Sequence, residues 1–124
     1  MNDNKKRGTA FEREAVSWLR GNGWWVHFLS PDGRGAQPFD IIAMKHGYVM
    51  VGDCKTSASH LFPLSRLEWN QVYAFDSWLA HGGSEPQVIV KYKDEIILVP
   101  YCTLKEDGKV DLNEWTEEAL KRRL

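Results

Sequence analysis

Two acids and a lysine sit where an apolar hairpin should carry no charge. Within residues 39–55, the apolar runs 41–44 and 48–51 flank Lys45-His46-Gly47, a polar junction with a glycine suited to a tight turn, and Asp40 and Asp53 bracket the pair. If Ile42 pairs with Val51, Asp40 faces Asp53, because paired positions in an antiparallel ladder keep a constant index sum. Alternation of side chains then puts Lys55 on the face of Asp53 and turns Cys54 the other way. Carboxylates opposed on a sheet repel each other unless a cation lies between them. A divalent metal supplies such a cation. Register decides the matter, since pairing Met44 with Tyr48 puts the two acids on opposite faces. The plainer alternative makes Asp40 and Asp53 strand-end acids facing water, paired with Lys45 or Lys55.

The elements that must position these residues can be read in order. Thr9-Ala10-Phe11-Glu12 has the capping-box pattern, with Thr9 as N-cap, and opens a helix expected to run to about Arg20 with Phe11, Ala15, Trp18 and Leu19 on its buried side. On that local pattern Glu12 serves the helix start. Residues 24–29, rich in aromatic and β-branched side chains, read as a strand. Residues 30–38 form a polar, glycine-rich loop in which Arg34 either meets phosphate or is solvated. After a further loop over 56–63, a second helix is expected from Ser65 to about Ala80, stopped by His81-Gly82-Gly83. Its apolar stripe of Leu67, Ala74, Phe75 and Trp78 is interrupted by Gln71, which needs a partner or a job. Residues 87–92 and 96–100 form a second hairpin around Lys93-Asp94-Glu95. Asp111-Leu112-Asn113-Glu114 then signals a C-terminal helix over 111–124, whose final cations suit a helix C-terminus. The order helix, three strands, helix, two strands, helix gives one mixed five-stranded sheet flanked by α-helices, an α/β sandwich.

Composition bounds the rest. The 124 residues fit one domain without repeat or linker, and 43% hydrophobic with 27% charged residues excludes wholesale disorder. The net charge of -1 gives no global sign of a nucleic-acid partner, but the charge is uneven, +2 up to Lys55 and -3 after it. Lys5, Lys6 and Arg7 form a basic cluster in an N-terminal arm over 1–8, either a solvated tail or a phosphate-binding arm. Cys54 and Cys102 have the look of reduced intracellular thiols, with Cys54 packed into the core. His27, His46, His60 and His81 lack ligand spacing, which argues against zinc. The N-terminus is too polar for a signal peptide and no apolar run is long enough to span a bilayer, so the cytoplasm is the expected location, that of a host if the chain is viral.

An acid opening one strand, then an acid, one residue and a lysine closing the next, resembles the PD-(D/E)xK nuclease superfamily. The wider pattern of Lys6-Arg7-Gly8, Phe11-Glu12-Arg13-Glu14, Phe39-Asp40-Ile41-Ile42-Ala43 and Asp53-Cys54-Lys55-Thr56 is similar to the archaeal-type Holliday-junction resolvases. Phe62-Pro63-Leu64 with Gln71 is similar to the bacterial RecU-type resolvases. The resemblance spans residues 5–100 and implies a restriction-endonuclease-like sandwich, a single nuclease domain over 1–124. It implies a metal-dependent, structure-selective endonuclease that resolves four-way junctions in double-stranded DNA by paired nicks. Paired incision across a two-fold junction calls for a homodimer, and Trp69 and Trp78 on helix surfaces are candidates for its interface.

Carried over by position, the resemblance makes Glu12, Asp40 and Asp53 the acidic metal-site residues, with the backbone carbonyl of Cys54 as a further ligand and Lys55 as the catalytic lysine. It makes Arg13 a DNA-contacting or active-site base; beside it, the basic cluster of Lys5, Lys6 and Arg7 and the loop residue Arg34 are candidate DNA contacts from their charge and placement, and Gln71 is a candidate support of the active site. Mg2+ is the implied cofactor, with Mn2+ able to substitute. That choice is chemically apt, because magnesium prefers oxygen ligands and retains waters, so two carboxylates, a carbonyl and a substrate phosphate complete a shell. Asp53 stands where glutamate is commoner, and Phe39 where the superfamily name has proline. The same scaffold also serves restriction-like or repair endonucleases on linear or flap DNA, and a non-catalytic DNA-binding module is the reading from a different class.

Overall fold

The computed structural model describes residues 3–29 and 38–122, with side chains described for 10–29 and 38–121. Helix α1 (Asp3–Gly21) leads into strand β1 (Trp25–Phe28) and the hairpin of β2 (Ile41–Lys45) and β3 (Tyr48–Thr56). Strand β4 (Leu61–Pro63) and a 3-10 turn (Leu64–Arg66) precede α2 (Trp69–Ala80), followed by β5 (Gln87–Tyr92) and β6 (Glu95–Pro100). The chain closes with α3 (Tyr101–Asp107), β7 (Lys109–Asp111), a second 3-10 turn (Leu112–Glu114) and α4 (Glu117–Arg122). The expected mixed five-stranded sheet is present in the order β1-β2-β3-β5-β6, and β4 with β7 forms a separate two-stranded ribbon. Among the described residues only β3 and β5 run parallel, as the helix between them allows.

Two-residue turns set both hairpins. His46 and Gly47 have φ of 51° and 81°, and Lys93 and Asp94 have 49° and 60°, the left-handed pairs whose twist matches the flanking strands. Ile42 accordingly pairs with Val51, the register on which the acid cluster depends. Strand alternation divides the core between the two faces of the sheet. Phe11, Ala15 and Leu19 of α1 cover Ile41, Ala43, Met50 and Ile89 on one face. Phe75 of α2, with Tyr101 and Leu104 of α3, covers Val51, Val88, Val90 and Val99 on the other. Phe62 and Val110 of the small ribbon complete this second layer.

Gly52 is required where β3 meets β5. A Cβ there would lie 3.0 Å from the Gln87 carbonyl oxygen and 3.0 Å from the Ile89 side chain. The carbonyl belongs to the sheet backbone and cannot swing aside, so Gly52→Ala is expected to cost about 1–3 kcal/mol. A thermal melt reads this directly, and an unchanged midpoint would contradict so close an approach.

Four expectations need correction. Helix α1 begins at Asp3, not at Thr9, so Thr9 is not an N-cap and residues 3–8 are helical rather than an arm. An acid in the first turn followed by good helix formers at Lys5, Lys6 and Arg7 carries the helix through Gly8. Helix α2 begins at Trp69 rather than Ser65, because residues 64–66 take a 3-10 turn and Glu68 with Gln71 forms the actual capping box. The elements β4, α3 and β7 were not anticipated, and residues 111–122 hold a strand end, a 3-10 turn and the six-residue α4 in place of the one helix expected over 111–124, whose last two residues lie outside the described ones. Among the described residues no helix is long and apolar enough to cross a membrane.

Candidate active site

The site forms where β2 stops and β3 continues. The two strands pair from Lys45↔Tyr48 to Ile41↔Gly52, after which β3 runs on alone along that edge to Thr56. Phe39, the residue that departs from the superfamily name, anchors the approach. It is 9% exposed, stacked on Phe75 at 5.7 Å and met edge-on by Trp78 at 5.7 Å, so α2 fixes the backbone just before Asp40.

Asp40 does not sit across a ladder rung from Asp53. Its N–H donates to the Gly52 carbonyl at 3.1 Å, one residue off the hairpin register, in the manner of a β-bulge at a strand end. The same N–H donates to Asp53 Oδ1 at 3.0 Å. Cys54 N–H in turn donates to Asp40 Oδ2 at 2.8 Å. Each carboxylate is therefore held by the backbone of the other's segment, an interlock in place of the direct opposition that the sequence suggested.

Burial makes this interlock costly for charge. Asp53 is 1% exposed, and its Oδ2 has no hydrogen-bond partner among the described residues. Desolvation, then the neighbouring Asp40 charge, pushes the Asp53 carboxyl up to about 7, while the Asp40 N–H and Lys55 pull the other way. Glu12, inside α1 and free of any capping role, is pushed up to about 7 by burial and by Asp40, with Lys55 opposing. Asp40 is raised by burial too, moderated by the Cys54 N–H and by Lys55. The four groups thus act on one another, and Lys55 is the cation that each acid feels.

A carboxylate oxygen that is buried and unpartnered calls for a proton or a cation. Hard oxygen donors suit a divalent cation, and the Cys54 carbonyl joins them. In a strand a residue's N–H and C=O point to the same edge, so this carbonyl shares the edge from which Cys54 N–H reaches Asp40. Among the described residues no three His, Cys, Asp or Glu side chains converge into a complete ligand set. Asp40, Asp53 and the carbonyl would supply part of a shell, which fits an ion that keeps waters and takes substrate phosphate.

The other sequence-predicted residues are placed less centrally. Arg13 is on the exposed side of α1, beside Glu12. Lys5, Lys6 and Arg7 fall within α1, but their side chains, like Arg34 altogether, lie outside the described residues. Gln71 has found its partner at the start of α2, where its Oε1 accepts the Glu68 N–H at 2.9 Å. That bond answers the question its polar place on the stripe raised. Trp69 is 81% exposed, whereas Trp78 is partly buried and donates from Nε1 to the Ser84 carbonyl at 2.7 Å. Two contacts near the site escaped the sequence reading. Glu14 is ion-paired to Lys91 on β5, and Arg66 Nη2 donates to the Thr56 carbonyl at 2.7 Å. No local pattern announces either, because each joins elements brought together only by folding.

A mixed sheet whose central hairpin ends in interlocked acids, flanked by a helix glutamate and a lysine, is a restriction-endonuclease-like α/β domain. Residues 3–123 match the family described as archaeal Holliday junction resolvase (Hjc), and the chain belongs to that family. It is 26% identical over 109 residues, 88% of this chain and 77% of the relative, to the crossover junction endodeoxyribonuclease Hjc of Methanocaldococcus jannaschii. Its fold is similar to that of Archaeoglobus fulgidus Hjc, a Holliday junction resolvase from an archaeal hyperthermophile, with a TM-score of 0.68 at 19% identity over 90% of this chain and 94% of the other.

Proposed function

We propose that this chain is a Mg2+-dependent endonuclease, able to use Mn2+, that resolves four-way DNA junctions by paired nicks as a cytoplasmic homodimer. The observation that carries the metal site is the unpartnered Oδ2 of Asp53, 1% exposed and coupled to Asp40 and Glu12. Family membership supports the reaction, since the M. jannaschii relative is named a crossover junction endodeoxyribonuclease.

Asp40, Asp53 and the Cys54 carbonyl would hold the ion, and Glu12, which feels the Asp40 charge, stands beside them. A divalent cation bound there offsets charge gathering on the phosphate and makes water easier to deprotonate. Lys55 stabilises negative charge on the phosphate or orients the attacking water. Glu12, with its carboxyl near 7, can accept a proton at neutral pH. Lys5, Lys6, Arg7, Arg13 and Arg34 are the candidate DNA contacts. The homodimer reading is supported by Trp69 and Tyr73, 81% and 69% exposed one turn apart on α2, apolar surface of the sort that a second copy covers.

A synthetic four-way junction and a linear duplex of the same sequence, each incubated with Mg2+, test this. Symmetric nicks in the junction and slow cutting of the duplex are expected. Equal cutting of both would replace the resolvase with a restriction-like or repair nuclease. Tight junction binding with no cutting of any DNA in Mg2+ or Mn2+ would leave a binding module.

A further inference from the structure

We infer that Arg66 is a positioning residue for the proposed reaction, fixing the free edge of β3 on which Lys55 and the Cys54 carbonyl ride. The inference rests on the nuclease reading of the site. Ser57 N–H bonds the Lys91 carbonyl at 2.9 Å, so odd-numbered residues at this end of β3 direct their backbone toward β5. Even-numbered residues face the opposite edge, and beyond Gly52 strand β2 is no longer there to pair with them. Side chains take over this edge. Asp40 Oδ2 receives the Cys54 N–H at 2.8 Å, and Arg66 supplies a donor to the Thr56 carbonyl at 2.7 Å. The Cys54 carbonyl and the root of the Lys55 side chain lie between these two clamps.

Arg66 is itself well seated. Its guanidinium lies 5.2 Å over the ring of Phe62. Phe62 is fully buried in β4 and paired with Val110 of β7. The small ribbon thereby gives the arginine a fixed platform, and the guanidinium's attraction to the ring holds it near its hydrogen-bond partner. Without Arg66, an exposed strand end would hold the Thr56 carbonyl only through water. The segment that carries the lysine would then fray from the loop side. The competing role for an exposed arginine near a nuclease site is a phosphate contact, and the two roles predict different losses.

The experiment compares wild type, Arg66→Ala and Arg66→Lys. Three quantities are measured: single-turnover cleavage at saturating junction with Mg2+, junction affinity across a salt series without divalent ion, and amide exchange of the cation-free protein. Positioning predicts that Arg66→Ala cuts about tenfold to a hundredfold more slowly. Junction affinity should stay within about twofold, with the salt slope unchanged. The Cys54 and Ser57 amides should exchange faster while the Val51 amide does not. Arg66→Lys, which keeps a donor but not the guanidinium, should fall between the two, and it carries the test if the alanine variant does not fold. An intact cleavage rate with weaker binding and a salt slope smaller by about one would make Arg66 a phosphate contact and overturn the inference. Unchanged rates and unchanged exchange would overturn it equally. Failure of the wild type to cut would overturn the nuclease reading instead, and the exchange rates would still show whether Arg66 holds this edge.

Discussion

Asp53→Asn is expected to lower junction cleavage by about a thousandfold or more while leaving junction binding within a few-fold of wild type, and to make the cation-free protein more stable at pH 8. The two effects have one cause. Asparagine keeps the shape of the side chain, and its amide oxygen can still accept the Asp40 N–H that Asp53 Oδ1 receives at 3.0 Å. The interlock of the two segments therefore survives. What disappears is a charge that is 1% exposed, lies next to another carboxylate, and has one oxygen without a partner. Removing it relieves the desolvation of a buried charge and its repulsion from Asp40, a gain on the order of 1–3 kcal/mol after the cost of an amide NH2 in the place of Oδ2. The same removal deprives the site of its most buried ionic oxygen donor. Electrostatic groups preorganised at a reacting centre are each worth a hundredfold to a thousandfold in rate, about 3–4 kcal/mol, and the loss of Asp53 in its proposed role as a metal ligand should reach or exceed that. Cleavage kinetics, a gel-shift titration and urea melts at pH 8 read the three quantities. Cleavage within about tenfold of wild type would remove Asp53 from the mechanism, and a less stable variant would mean that its charge is compensated by something other than a bound cation.

The parts of this arrangement that depend on sequence-local rules could be read before folding was known. Gly47 and the two short apolar runs announced the hairpin but left two registers open, and the pairing of Ile42 with Val51 is the one that brings Asp40, Asp53 and Lys55 to the same end of it. The resemblance put forward a metal-site role for Glu12, where the local pattern made Thr9 an N-cap and assigned the glutamate to the helix start. The helix runs six residues further toward the N-terminus than that motif suggested, and Glu12 sits in its interior, free to face the acids. Three-residue strands have no period to detect, so β4 and β7 were hidden. Their pairing joins Phe62 to Val110 across the chain. Helix α3 did leave a trace, since Pro100 stands before it and Gly108, at φ 78°, terminates it in the left-handed conformation. The tightest features of the site were beyond any linear reading. The bond from Cys54 N–H to Asp40 and the bond from Arg66 to Thr56 both arise because β3 outlasts β2, a fact of strand length that the unbroken pattern from Tyr48 to Thr56 does not disclose.

The burial of these neighbouring carboxylates should show in the pH dependence of stability. Asp53 is raised from 3.8 to about 7 and Glu12 from 4.5 to about 7, with burial the largest cause of each, and Asp40 moves in the same direction. An acid whose folded pKa lies above its unfolded value keeps more protons in the native state across the interval between the two. Its stabilising contribution is full below about pH 4 and is lost as the pH rises through about 7. Asp76, held by Lys105 and Tyr101, is shifted the opposite way, but its effect falls below pH 4 and does not overlap this window. The cation-free protein is therefore expected to lose stability from pH 5 to pH 8, by on the order of 3 kcal/mol once the partial exposure of Glu12 is allowed for. For a domain of this size that corresponds to roughly 10 °C in melting temperature. A divalent cation favours the charged form that burial disfavours. Millimolar Mg2+ should raise the midpoint at pH 8 by several degrees and hardly change it at pH 5, where protons already occupy the site. Asp53→Asn should flatten both dependences together. Melting temperatures that hold steady or rise from pH 5 to pH 8 without divalent ion, or a Mg2+ effect of equal size at both pH values, would show that these carboxylates do not form a coupled cation site.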